Sequence, residues 1–115
     1  MNPQLLNACK TFSLGDAPGA KAYLSPDVKW EFVGEKTMEG LEAMLQFCRE
    51  MMAEGCPDFR IERNTISDSR VVIEGKEDRE GGICYCDSFT LENGLITEIY
   101  SYCICPGASS VLEAE

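Results

Sequence analysis

The chain has 115 residues, enough for one domain built around a single core. Ten Lys and Arg stand against twenty Asp and Glu, and the resulting net charge of −10 argues against phosphate-rich partners, whether nucleic acid or an anionic membrane surface. Histidine is absent, which removes His-dependent hydrolases, His-ligated metal sites and His general bases, so acid–base chemistry falls to Asp, Glu, Tyr, Cys or Lys.

Asn2-Pro3 is a good cap and first-turn pair, and Leu5, Ala8, Cys9 and Phe12 recur at helical spacing until Gly15. Asp16 can cap a second, short helix with Pro18 in its first turn, ending at Ser25-Pro26. Val28 to Val33 alternates with period two and predicts a strand; Gly34 to Gly40 reads as a loop. From Leu41 the apolar positions Met44, Leu45, Cys48, Met51 and Met52 follow a helical stripe that Gly55 and Pro57 terminate. Strands follow at Phe59–Ile66 and Arg70–Asp78, then a hairpin around Asn93-Gly94. Helices first and a mostly antiparallel sheet later make an α+β domain over residues 1–105, with 106–115 as a frayed tail.

The hairpin is the most informative segment. A two-residue turn at Asn93-Gly94 pairs Glu92 with Leu95, and uninterrupted alternation then sorts both strands by face. One face carries Tyr85, Asp87, Phe89 and Leu91 with Ile96, Glu98, Tyr100 and Tyr102, a large aromatic surface suited to a pocket. The other carries Cys84, Cys86, Thr97, Ile99, Ser101 and Cys103, a flat, charge-poor strip suited to a homodimer contact.

Seven cysteines would suggest a disulfide framework in a secreted chain. The opening residues lack a basic region followed by a long apolar run, and no stretch reaches membrane-spanning length, so a cytoplasmic location and free thiols are expected. Cys84, Cys86, Cys103 and Cys105 would share one strand face, which raises a four-thiolate metal site or a Cys84–Cys103 disulfide. Small buried apolar side chains are the reading preferred, with no metal and no cofactor.

The order α-α-β-α-β-β-β-β resembles the nuclear transport factor 2-like superfamily, which includes SnoaL-like polyketide cyclases and ketosteroid isomerases. The resemblance spans residues 3 to 104. It rests on the Gly15-Asp16 corner, the Ser25-Pro26-Asp27-Val28-Lys29-Trp30 entry to the first strand, the Gly40-Leu41-Glu42-Ala43-Met44 helix start and the Asp87-Ser88-Phe89 strand. It implies a cone-shaped, curved, antiparallel-rich sheet wrapped around N-terminal helices and one long helix, the cystatin-like α+β barrel. The open end of the cone is a ligand pocket, and dimers commonly form through the outer sheet face.

The resemblance also implies a site. Asp87 matches the late-strand Asp that ketosteroid isomerases keep protonated. For the first-strand base, anchoring on Gly34 and Gly40 selects Glu31, whereas anchoring on Gly15-Asp16 and Asp27 selects Phe32. If Trp30 and Phe32 face the core, Glu31 points away unless a bulge intervenes. The position of the oxyanion tyrosine falls near Ala8, and Tyr85 stands where limonene epoxide hydrolase-like sites carry Arg. Two functions follow as expectations. One is binding of a small, mostly apolar molecule by Trp30, Phe32, Tyr85, Phe89, Glu98, Tyr100 and Tyr102, with Asp87 as polar anchor. The other is an isomerase or cyclase moving a proton next to a carbonyl, with Asp87 and Glu31 as the catalytic candidates.

Overall fold

The first helix, α1 (Pro3–Ser13), begins where Asn2 accepts a hydrogen bond from the Gln4 amide, 2.8 Å away, with proline in its first turn. Its stripe of Leu5, Ala8, Cys9, Phe12 and Ser13 is buried. In this computed structural model, which describes residues 2–55 and 57–105, the second helix is a 3-10 turn at Pro18–Tyr23. Asp16 does accept from the Gly19 amide at 2.9 Å. The expected tail at 106–115 and the thiol of Cys56 lie outside the described residues.

Six strands form one sheet in the order β2-β1-β6-β5-β4-β3. Every neighbouring pair is antiparallel except β1 (Leu24–Phe32) with β6 (Leu95–Ile104), which run parallel. Strand β1 starts four residues earlier than the alternation suggests, because Leu24 already pairs with Ile96 and the Ser25-Pro26-Asp27 stretch forms an irregularity before Lys29. Within the expected Gly34–Gly40 loop sits β2 (Lys36–Glu39), an edge strand paired to β1. Only Met38 among its residues is buried, so its four-residue pattern is too short to announce a strand. Gly34, at φ 88°, supplies the left-handed turn between them.

Helix α2 (Leu41–Ala53) packs on β1 and β2, and α1 packs on β3 (Phe59–Ile66), β4 (Arg70–Glu77) and β6, so both helices occupy the concave face. The opposite face of β3 and β4 carries exposed ion pairs such as Arg60–Asp78 and Arg63–Glu74. The core runs through Val71, Ile73, Phe89, Ile96 and Ile99, all at 0% exposure. Tyr85 lies across the sheet onto Gly75, where a Cβ would come within 2.5 Å of both the Tyr85 hydroxyl and the Arg60 carbonyl. Only glycine leaves room for that ring.

The hairpin of β5 (Cys84–Glu92) and β6 departs from the expected register. Asn93 and Gly94 both have positive φ, at 53° and 77°, and Glu92 pairs with Leu95 and Leu91 with Ile96 as the turn requires. The next pair is Thr90 with Glu98, leaving Thr97 as an extra residue whose hydroxyl donates to the Thr90 carbonyl at 3.3 Å. Beyond this bulge β6 is inverted relative to simple alternation: Ile99, Ser101 and Cys103 turn to the concave side, and Glu98, Tyr100 and Tyr102 to the convex side. The energetics favour the bulge. Regular alternation would expose Ile99, forgoing roughly 2 kcal/mol, and would drive the Glu98 carboxylate into an apolar interior at a cost of several kcal/mol more.

Candidate functional site

Asp87 is placed in the interior by β5, whose inward residues Tyr85, Asp87, Phe89 and Leu91 alternate with partly exposed ones. Across the ladder it faces Ile73 on β4 and Ser101 on β6. Ser101 Oγ donates to Asp87 Oδ1 at 2.6 Å, and Ser13 Oγ, from the last residue of α1, donates to Asp87 Oδ2 at 2.8 Å. Ser101 Oγ in turn accepts from Trp30 Nε1 at 2.9 Å. An indole, two hydroxyls and one carboxyl drawn from α1, β1, β5 and β6 thus form a connected, buried polar cluster. Each donor is used once.

Above this cluster opens a cavity of about 390 Å3, within the roughly 300–1,000 Å3 usual for small-molecule pockets. Its walls are mainly aromatic. Phe12 packs edge-on against Trp30 with centroids 4.9 Å apart, Trp30 tilts over Phe32 at 4.7 Å, and Phe47 of α2 meets both rings at 5.6 Å. Phe59 and Tyr85 close the other side at 5.3 Å. Met51 and Met52 of α2, both half-exposed, line the mouth, as do Glu35 and Lys36.

Burial dominates the electrostatics. Desolvation raises the Asp87 carboxyl from its ordinary 3.8 to about 6, against the opposing pull of its two serine donors. The Tyr85 phenol is raised by burial and then by the charge of Asp87, and its hydroxyl is enclosed without a hydrogen-bond partner. Cys103, also in the cavity wall, is pushed up to about 11 by desolvation and by the neighbouring Asp87, Cys105 and Glu35, so it is a thiol at neutral pH.

Of the residues named from sequence, Trp30, Phe32, Tyr85 and Asp87 line this cavity. Phe89 does not. It is fully buried behind the wall, edge-on to Phe12 at 5.7 Å. Glu31 points away from the cavity because Trp30 and Phe32 take the inner positions and no irregularity falls between them. It pairs in register with Tyr100 on the convex face, where the Tyr100 hydroxyl donates to Glu98 at 3.1 Å and Lys29 lies 5.9 Å above the Tyr100 ring. Glu98, Tyr100 and Tyr102 therefore belong to the outer surface, not the pocket, a correction imposed by the Thr97 bulge.

The same inversion divides the cysteines. Cys84 and Cys86 stay on the convex face, whereas Cys103 and Cys105 border the cavity, and Cys84 pairs with Ile104 instead of Cys103. The expected dimer strip loses Ile99 and Ser101, which are 0% and 2% exposed, together with Cys103. Among the cavity residues that the sequence reading did not place there are Ser13, Phe47, Phe59 and Ser101. Ser13 was within reach, since it follows Cys9 by four on the buried stripe of α1. Ser101 was not: Ile96 and Ile99 are three apart, and that odd spacing signals an inserted residue only once both are known to be buried.

A family model described as a SnoaL-like domain matches residues 6–99. No curated protein matches the chain significantly. Among solved structures, the chain is similar to a nuclear transport factor 2-like protein of unknown function from Cytophaga hutchinsonii ATCC 33406. The two are 30% identical with a TM-score of 0.82, over 90% of this chain and 99% of that one. At 19% identity it also shares its fold with an LEH-like epoxide hydrolase from M. tuberculosis, with a TM-score of 0.68 over 97% of both chains. A candidate SnoaL-like polyketide cyclase from Jannaschia sp. CCS1 aligns at 17% identity and a TM-score of 0.72, over 99% of this chain and 94% of that one. A family match over more than half of the chain, on a curved mixed sheet closed by two helices, makes this protein a member of the SnoaL-like domain family within the nuclear transport factor 2-like fold.

Proposed function

We propose that this chain binds a small, mostly apolar molecule in the cone cavity, with the Asp87 cluster as its polar anchor. The observation that carries the reading is the combination at one place of an aromatic cavity of about 390 Å3 and a hydrogen-bonded carboxyl at its inner end. A buried carboxyl held by two serines is costly to maintain in a core that hydrophobic residues could fill. Titration with 1-methylnaphthalene, followed by NMR of methyl-labelled methionine, tests it. The Met51 and Met52 methyls at the mouth should shift saturably, and Met38, outside the cavity wall, should not. Absence of a saturable shift up to the solubility limit overturns the reading.

A second reading is an isomerase or cyclase that moves a proton next to a carbonyl. It is favoured by the Asp87 carboxyl at about 6, close to the pH at which a cytoplasmic acid or base works, and by neighbours of this fold that include a candidate cyclase. The epoxide hydrolase neighbour supports it less, because Tyr85 stands two residues before Asp87 where that chemistry places an arginine. The two readings part at Asp87→Asn: under the second, turnover falls about a hundredfold or more in a protein that stays folded.

A homodimer through the convex sheet face belongs to the same proposal, with its residues redrawn as Cys84, Cys86, Ser88, Tyr100, Tyr102 and Ile104. Tyr102 and Ile104 are 47% and 61% exposed beside one another's strand neighbours, an apolar patch on a chain of net charge −10. A cytoplasmic location is retained on the free thiols of Cys84, Cys86, Cys103 and Cys105. No helix among the described residues is long and apolar enough to cross a membrane.

A further inference from the structure

Hydrogen-bond accounting at the inner end of the cavity narrows the ligand class, resting on the binding reading above. A carboxylate offers about four lone-pair sites. Asp87 fills two, one on each oxygen, with Ser13 and Ser101. Ser13 Oγ spends its proton on Asp87 and keeps its lone pairs; Ser101 Oγ spends its proton likewise and accepts from Trp30 Nε1. The indole donor is thereby used up. What the cluster presents to an occupant is acceptors only.

Nor does the protein supply a countercharge. Among the described residues Asp87 forms no ion pair, and the cation in the cavity wall, Lys36, sets its Nζ over the Phe47 ring, 4.1 Å from the centroid. The Tyr85 hydroxyl, a spare donor, lies over Gly75, enclosed by the sheet. Facing Asp87 are Ser13 from α1, Trp30 from β1, Ile73 from β4, and Ser101 and Cys103 from β6, none of them charged at neutral pH. Around this acceptor end stand Phe12, Trp30, Phe32 and Phe47, whose ring faces attract cations.

We propose that the cavity selects a hydrophobic amine in its ammonium form, whose N–H groups take the free lone pairs of Asp87 and Ser13 while its apolar body lies among the aromatic rings. The acidic surface adds long-range attraction for such a cation. A carbonyl ligand, by contrast, brings one more acceptor to a cluster whose hydroxyl and indole protons are already spent, with the Tyr85 hydroxyl enclosed and the Cys103 thiol only a weak donor.

Three probes of matched shape separate the outcomes: 1-methylnaphthalene, 1-naphthylmethylamine and 1-acetonaphthone, titrated against the full chain at about pH 7.5, above the titration range of the Asp87 carboxyl. The amine should bind at least about tenfold more tightly than the hydrocarbon, and the ketone no more tightly than the hydrocarbon. Asp87→Asn should abolish the amine's advantage over the hydrocarbon, both affinities being measured on the same variant. A second measurement needs no variant. A buried contact is little screened, so the advantage should persist in about 0.5 M sodium chloride, whereas attraction to the acidic surface alone would vanish there. Hydrocarbon binding without amine preference, a preference lost in salt, or a ketone that binds best overturns the inference and leaves the pocket standing. Failure of all three probes to bind overturns the pocket with it.

Discussion

Asp87 governs the site at the level of single residues, and its titration has a definite sign. Because the folded carboxyl holds its proton more tightly than an unfolded one, its ionised form is a penalty on the fold: complete above about pH 6, and gone below the ordinary 3.8. The difference between the two values is worth roughly 3 kcal/mol. Asp87→Asn, close in shape and uncharged, is therefore expected to match or exceed the unmodified protein in urea-unfolding free energy at about pH 8. As the pH falls from about 7 to below the ordinary 3.8, the unmodified protein should progressively gain stability relative to the variant. A variant several kcal/mol less stable at all pH values would mean that the serine hydrogen bonds outweigh desolvation, and that the carboxyl is there to hold the structure.

Among the elements, the bulge in β6 decides which side chains meet the ligand. Thr97 makes Ile96 and Ile99 both inward, and it carries Ser101 to Asp87 and Tyr100 to Glu98. Deleting Thr97 would restore plain alternation from the turn onward. With the extra residue gone, Ile96 and Ile99 stand two apart and both stay inward, while Glu98 stays outward and Ser101 keeps Asp87 and Trp30, so the shortened protein should fold within about 2 kcal/mol of the parent and keep the near-ultraviolet signal of Trp30. Thr97→Gly keeps the residue count and should fold. A deletion mutant that loses several kcal/mol and the Trp30 signal would show that Thr97 is not the extra residue, and the cavity assignments for Ser101 and Cys103 would fall with that result.

For the molecule as a whole, the sheet has one face committed to helices and core and another exposed. The edges of the convex face carry ion pairs on β3 and β4 and the Lys29, Glu31 and Glu98 charges near β1, with the β5–β6 strip between them. Two copies related by a two-fold axis could bury that strip against itself. Tyr102→Glu places like charges close to such an axis and should shift the sedimentation coefficient from dimer to monomer, leaving the cavity, on the other face, able to bind its probes. A monomer for the unmodified chain at micromolar concentration removes the interface.

Local physics in the sequence already determined much of this protein. The caps and stripes of α1 and α2, the Asn93-Gly94 turn, the four later strands and the inward direction of Trp30, Phe32, Tyr85 and Asp87 depend on spacings of a few residues, where propensity and periodicity act directly. They also sufficed to mark the resemblance to the nuclear transport factor 2-like fold. Tertiary structure alone settled the short β2 edge strand, whose four residues carry too little pattern, and the parallel pairing of β1 with β6, which joins segments more than sixty residues apart. It also settled the face of every β6 residue after Thr97. One inserted residue inverts all that follow it, and the insertion is favoured only by the summed burial of Ile99 and exposure of Glu98 against the rest of the core, a balance that no local window contains.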